Sequence, residues 1–126
     1  MRLHDLKANQ QAFYYCTYEG SKPVLDEDGY ETGETEDSYA NPIKAWARIS
    51  PNAGSPEESP FGTDISYDRS IATVQNLPID EHSRLYIDVV PVINEDGTTD
   101  TKPDYKVVRY APDLHEHLWA VSRLQT

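Results

Sequence analysis

The amino-acid sequence predicts an all-β fold, a small antiparallel β-barrel or sandwich of about six strands joined by long polar loops. Short runs rich in aromatic and β-branched residues alternate their side chains with period two, as half-buried strands do. Clusters of Gly, Pro, Asn and Asp punctuate those runs, and none of the spacing of βαβ units appears. At 126 residues the chain fits one domain, spanning residues 1–126, with a single core.

Gln11 to Tyr18 (QAFYYCTY) reads as the opening strand, with Phe13, Tyr15 and Thr17 on one face and Ala12, Tyr14, Cys16 and Tyr18 on the other. Glu19 to Pro42 reads as acidic loop around a tight hairpin turn at Asp28-Gly29. Ile43 to Ser50 alternates cleanly, with Ile43, Ala45, Ala47 and Ile49 opposite Lys44, Trp46, Arg48 and Ser50. Pro51 to Tyr67 carries prolines and glycines that forbid a regular ladder, and a loop of about 15 residues is usually functional or disordered. Arg69 to Gln75 and Leu85 to Val92 read as strands. The second is apolar on both faces near Val89, Val90 and Val92, which predicts a central position. Asn94 to Asp104 forms a second acidic loop, and Tyr105 to Tyr110 is a strand stopped by Pro112. The tail fits a helix capped by Asp113 or a final strand through Trp119, Val121 and Arg123; the alternation favours the strand.

Twenty-two acidic against 11 basic residues give a net charge of −11. Such a chain repels phosphate backbones, which argues against a nucleic-acid-gripping role. Acidic loops instead suit a passage through which DNA slides without specific binding, provided that the subunit forms a ring. The single Cys16 has no internal disulfide partner and reads as a buried apolar residue. No stretch approaches the roughly 20 apolar residues that cross a bilayer, and Met1 to Gln10 lacks the apolar core of a signal peptide, so a soluble, non-exported chain without membrane contact is expected.

Motifs for chemistry are sparse. In Asp26-Glu27-Asp28-Gly29-Tyr30 and Asn94-Glu95-Asp96-Gly97 the glycine arrives too early for a calcium-binding helix-loop-helix. His115 and His117 flank Glu116 and would share one side of a strand, but no third zinc ligand lies nearby in sequence. The chain also lacks a nucleophile elbow, a phosphate-binding glycine loop ending in Lys-Ser or Lys-Thr, and an H-E-x-x-H helix. No catalytic residue, metal or cofactor is expected, and the chain reads as non-enzymatic.

One ordered run remains: Ile49-Ser50-Pro51, Phe61-Gly62, Tyr67-Asp68-Arg69, Pro78-Ile79-Asp80-Glu81 and Leu85-Tyr86-Ile87-Asp88. In this order and spacing it resembles the head-tail joining (head-closure) proteins of siphovirus-type bacteriophages. The resemblance spans most of the chain and is sharp over about a third of it, Ala47 to Asp88. It implies a small β-barrel structural subunit of the virion neck, assembled in the host cytoplasm. Six or twelve copies, the family's habit, would form a ring beneath the portal and its adaptor. That ring would close the DNA-filled head and dock the tail terminator or tail tube. Within such a ring the expected interface or channel residues are Phe61 as an apolar anchor, Tyr67 and Asp68, Arg69 and Arg48 as partners for acidic loops of adjacent subunits, and Trp46. A tail-terminator or tail-completion subunit would share these properties. A different class, a small β-module binding carbohydrate, would use Trp46, Trp119 and tyrosines as a stacking surface.

Overall fold

The computed structural model describes residues 10–51, 61, 65–112 and 115–124. The polar start of the chain and most of the Pro51 to Tyr67 loop lie outside the described residues, as do Asp113 and Leu114. The described residues are all-β. Eight strands follow in order: β1 (Gln11–Cys16), β2 (Tyr18–Leu25), β3 (Glu31–Tyr39), β4 (Ile43–Pro51), β5 (Arg69–Thr73), β6 (Arg84–Tyr86), β7 (Tyr105–Pro112) and β8 (His117–Arg123).

Six of them close an antiparallel barrel in the order β1-β4-β5-β8-β7-β6, and β2 and β3 form a separate two-stranded sheet. Closure follows from the alternation read in the sequence. Around the inside, Phe13 lies opposite Ala45, Ile49 opposite Ile71, Ile71 opposite Trp119, Val121 opposite Val107, Tyr105 opposite Leu85, and Leu85 opposite Tyr15. Each facing pair is buried or packed against the core. Small Ala45 and Ala47 leave room for Phe13 and Trp119, the size alternation that a narrow barrel needs. Burying each large apolar side chain contributes roughly 1.5–3 kcal/mol. Leu77 and Ile79, in the β5–β6 connection, add to the same core, and the Trp119 indole N–H donates to the Ile79 carbonyl at 3.0 Å.

The structure departs from the sequence reading in several places. Glu19 to Pro42 is mostly ladder: the turn at Asp28-Gly29 caps a ribbon of eight and nine residues. Gly20 and Gly33 adopt positive φ where the β2–β3 register shifts, a conformation in which a side chain is strained. Tyr18 opens this ribbon instead of ending β1. The run expected from Leu85 to Val92 pairs only over Arg84–Tyr86, and Val90 and Val92 are 70% and 72% exposed. The cause lies at Asp104, whose carboxylate accepts the N–H groups of Ile87 and Asp88 at 2.9 Å each. A side chain thereby replaces the ladder, and the segment leaves the barrel wall. Ile43 faces solvent, and β5 ends at Thr73 before exposed Val74. β7 runs two residues beyond Tyr110 and ends at Pro112, which pairs with His117. The tail is a strand, β8, as the alternation predicts.

Candidate assembly surfaces

Two of the motif segments, far apart in sequence, meet at one rim of the barrel. Arg69 pairs with Asp88 at 3.0 Å, and Asp88 also accepts from Arg123 at 2.8 Å and from the Tyr105 hydroxyl at 3.1 Å. The Arg69 and Arg123 guanidiniums each lie 5.5 Å from the Tyr105 ring centroid. Cations on an aromatic face gain from its quadrupole, so ring and carboxylate together hold both arginines. Asp68 completes the rim: its carboxylate accepts the Arg123 N–H at 2.8 Å, while its own N–H donates to the Val121 carbonyl at 2.9 Å. Tyr67-Asp68-Arg69 and Leu85-Tyr86-Ile87-Asp88 thus share one network, and Tyr105 and Arg123, which the sequence reading placed only as strand residues, complete it.

The remaining expected interface residues are engaged within the chain. Phe61 is 3% exposed, packs edge-on against Tyr67 with centroids 5.2 Å apart, and its carbonyl accepts from Arg109 at 2.9 Å. Its side chain is thus buried within its own subunit. Arg48 pairs with Glu116 and Arg69 with Asp88 of the same chain. Trp46, half-buried on the outer face of β4, carries the Lys44 ammonium 5.4 Å from its ring centroid.

Trp119, the other tryptophan of the stacking surface, is 1% exposed and cannot stack a sugar. His117 lies against Tyr110, whose hydroxyl is 2.6 Å from Nδ1, whereas His115 precedes β8 and shares no strand face with it. Among the described residues no three His, Cys, Asp or Glu side chains converge as a metal-binding set. The two acidic turns use their carboxylates internally. Asp26 accepts the N–H groups of Asp28 and Tyr30 at 2.9 and 3.0 Å. The Thr98 hydroxyl and amide, at 2.6 and 3.1 Å, hold the Asp96 carboxyl below its ordinary value.

The ribbon is joined to the barrel by an aromatic cluster. Tyr18 lies 5.5 Å from Tyr39 and 5.6 Å from His82, and the Arg84 guanidinium sits 5.5 Å from the Tyr39 ring. Burial raises the Tyr39 phenol, partly offset by Arg84. Nearby, burial pushes the Tyr86 phenol up to about 12, helped by Cys16, and its hydroxyl donates to the Thr101 carbonyl at 2.7 Å. Burial also raises the Cys16 thiol, which makes it a poor nucleophile.

Beyond that cluster the ribbon is an arm. Nearly all of Glu19 to Asp37 is exposed. Tyr18 to Tyr39 holds Glu19, Asp26, Glu27, Asp28, Glu31, Glu34, Glu36 and Asp37 against Lys22 alone, a net −7 of the chain's −11. The sequence held one clue to the ribbon, since Tyr18 and Tyr39 bracket the Asp28-Gly29 turn at similar distances and Thr32 and Thr35 lie between. Comparison with family models, with characterised proteins and with solved structures finds no match.

Proposed function

We propose that this chain is a head-tail joining (head-closure) subunit of a tailed bacteriophage, one member of a ring between the portal adaptor and the tail. The observation that carries the reading is the division of the molecule into a closed barrel and a two-stranded arm that concentrates −7 of the charge. A closed barrel has no open edge through which copies could aggregate, so contacts between copies fall to its rim, its loops and the arm. Acidic arms repeated around a ring would line or border a channel with a negative field, and DNA would pass without adhering. The joining of Tyr67-Asp68-Arg69 to Leu85-Tyr86-Ile87-Asp88 through the Arg69–Asp88 pair also favours the reading, because these are the segments that carry the family resemblance. In this reading they keep the barrel rim rigid.

The test is cryo-electron microscopy of purified particles, with the portal vertex searched for this barrel. A ring of barrels between adaptor and tail is the expected result. Density at the distal end of the neck, on the tail tube, would reassign the chain to tail completion. Its absence from the neck would overturn both.

A further inference from the structure

The arm ends in a tip built to be presented. Asp26 fixes the turn by accepting two backbone N–H groups, and the Asp26 N–H donates to the Tyr30 carbonyl at 2.8 Å. The tip therefore loses little conformational entropy on docking. It displays Leu25 and Tyr30, 57% and 72% exposed, among the carboxylates of Glu27, Asp28 and Glu31. Exposed apolar side chains on an otherwise charged hairpin call for a partner with apolar floor and positive rim.

Such a surface exists on the barrel. A groove on the outer face of β7 and β8 is lined by Ser66, Asp68, Lys106, Val108, Ser122, Arg123 and Leu124. Val108 and Leu124 give it an apolar floor. Lys106 sets a cation at its edge, the Arg123 guanidinium is already paired with Asp88, and the Asp68 carboxylate is turned to the Arg123 backbone. Lys106 makes no ion pair among the described residues.

The groove lies across the barrel from the strands that carry the base of the arm. The arm leaves the barrel between β1 and β4, and around the closed sheet β8 is opposite β1 and β7 is opposite β4. An arm of eight or nine residues per strand reaches about 27 Å. Two different, complementary patches on one chain give a head-to-tail contact between copies, which closes into a ring when its rotation permits.

We infer that the β2–β3 arm tip of one copy docks in the Lys106–Arg123 groove of the next, with Leu25 and Tyr30 on Val108 and Leu124 and the tip carboxylates facing Lys106. The inference deepens the ring proposed above and rests on that reading for its biological setting, although the contact itself is a property of the isolated chain.

Sedimentation of the full chain up to millimolar concentration tests it, with wild type compared to Glu27→Lys, Lys106→Glu and the double exchange. Both positions are exposed, and circular dichroism and melting check that each variant keeps the barrel. Self-association should weaken about tenfold in each single variant, equivalent to about 1.4 kcal/mol, and return in the double exchange. Tyr30→Ala should weaken it as well. A chain that stays monomeric throughout, or an association untouched by the single reversals, overturns the arm-in-groove contact. A ring of barrels at the neck with that contact absent would leave the head-joining reading standing, while charge-dependent self-association without neck density would sink that reading and keep the contact.

Discussion

The barrel and the arm are made of the same material, antiparallel strands of five to nine residues apart from the short β6, and are stabilised in nearly opposite ways. The barrel closes on itself and encloses a core of which Phe13, Ile71, Leu85, Tyr105, Trp119 and Val121 are at most 1% exposed. Its stability is tertiary, each side chain packed against strands distant in sequence. The arm has two strands, two open edges and hardly any buried side chain, with Ser38 the exception near its base. An isolated two-stranded hairpin is marginal in water, so its order depends on the Asp26 turn, the glycines at its irregular positions and the aromatic cluster at the barrel. A rigid scaffold thus carries a locally stabilised projection, the arrangement by which loops and hairpins become contact elements.

The contrast breaks most sharply at Trp119. Trp119→Ala opens a large cavity and strands the Ile79 carbonyl, and it should cost about 4 kcal/mol in denaturant unfolding, enough to unfold a marginal domain. A melting curve within a few degrees of wild type would refute the packing described for the barrel.

Alkaline pH should act next. The Tyr86 phenol is raised in the folded chain, so its stabilising contribution is complete below the ordinary tyrosine value near 10. It is lost as pH rises from about 10 to about 12, at up to about 1.4 kcal/mol per pH unit. Tyr86→Phe should flatten that slope while lowering stability near neutral pH through loss of the Thr101 bond. Equal slopes in the two proteins would exclude Tyr86 as the cause.

Asp104→Ala removes the acceptor of the Ile87 and Asp88 N–H groups, and about 2 kcal/mol of global stability should go with it. Hydrogen exchange should rise first between Ile87 and Val92. The smallest effect is reserved for the arm. Gly33→Ala forces a side chain into a backbone with φ of 89° and should cost about 1 kcal/mol locally. Amides of β2 and β3 should exchange faster while the barrel melts as before. A matching fall in the global transition would mean that arm and barrel unfold as one unit, and the comparison would fail.

The all-β class and most strands of the barrel wall were legible in the amino-acid sequence. In Gln11–Cys16 and Ile43–Pro51 the period-two alternation tracks the core face through Phe13, Tyr15, Ala45 and Ala47, whereas in Arg69–Thr73 and His117–Arg123 consecutive residues of both faces are buried. The sequence also located the Asp28-Gly29 turn, since that conformation depends on the residues of the turn alone. Alternation misled where no core was involved. Val89, Val90 and Val92 look like a central strand, yet Asp104 draws their segment away and leaves the valines in solvent. The arm went unseen because, with no face to bury, its strands carry no hydrophobic period. Tertiary structure alone decided the partners of the charged residues. Arg69 with Asp88, Arg48 with Glu116 and Asp68 with the Arg123 amide each join positions at least 19 residues apart, and with 22 carboxylates in the chain nothing in composition selects among them. Charge attracts without regard to sequence distance, so only the closure of the barrel determines which carboxylate each cation meets.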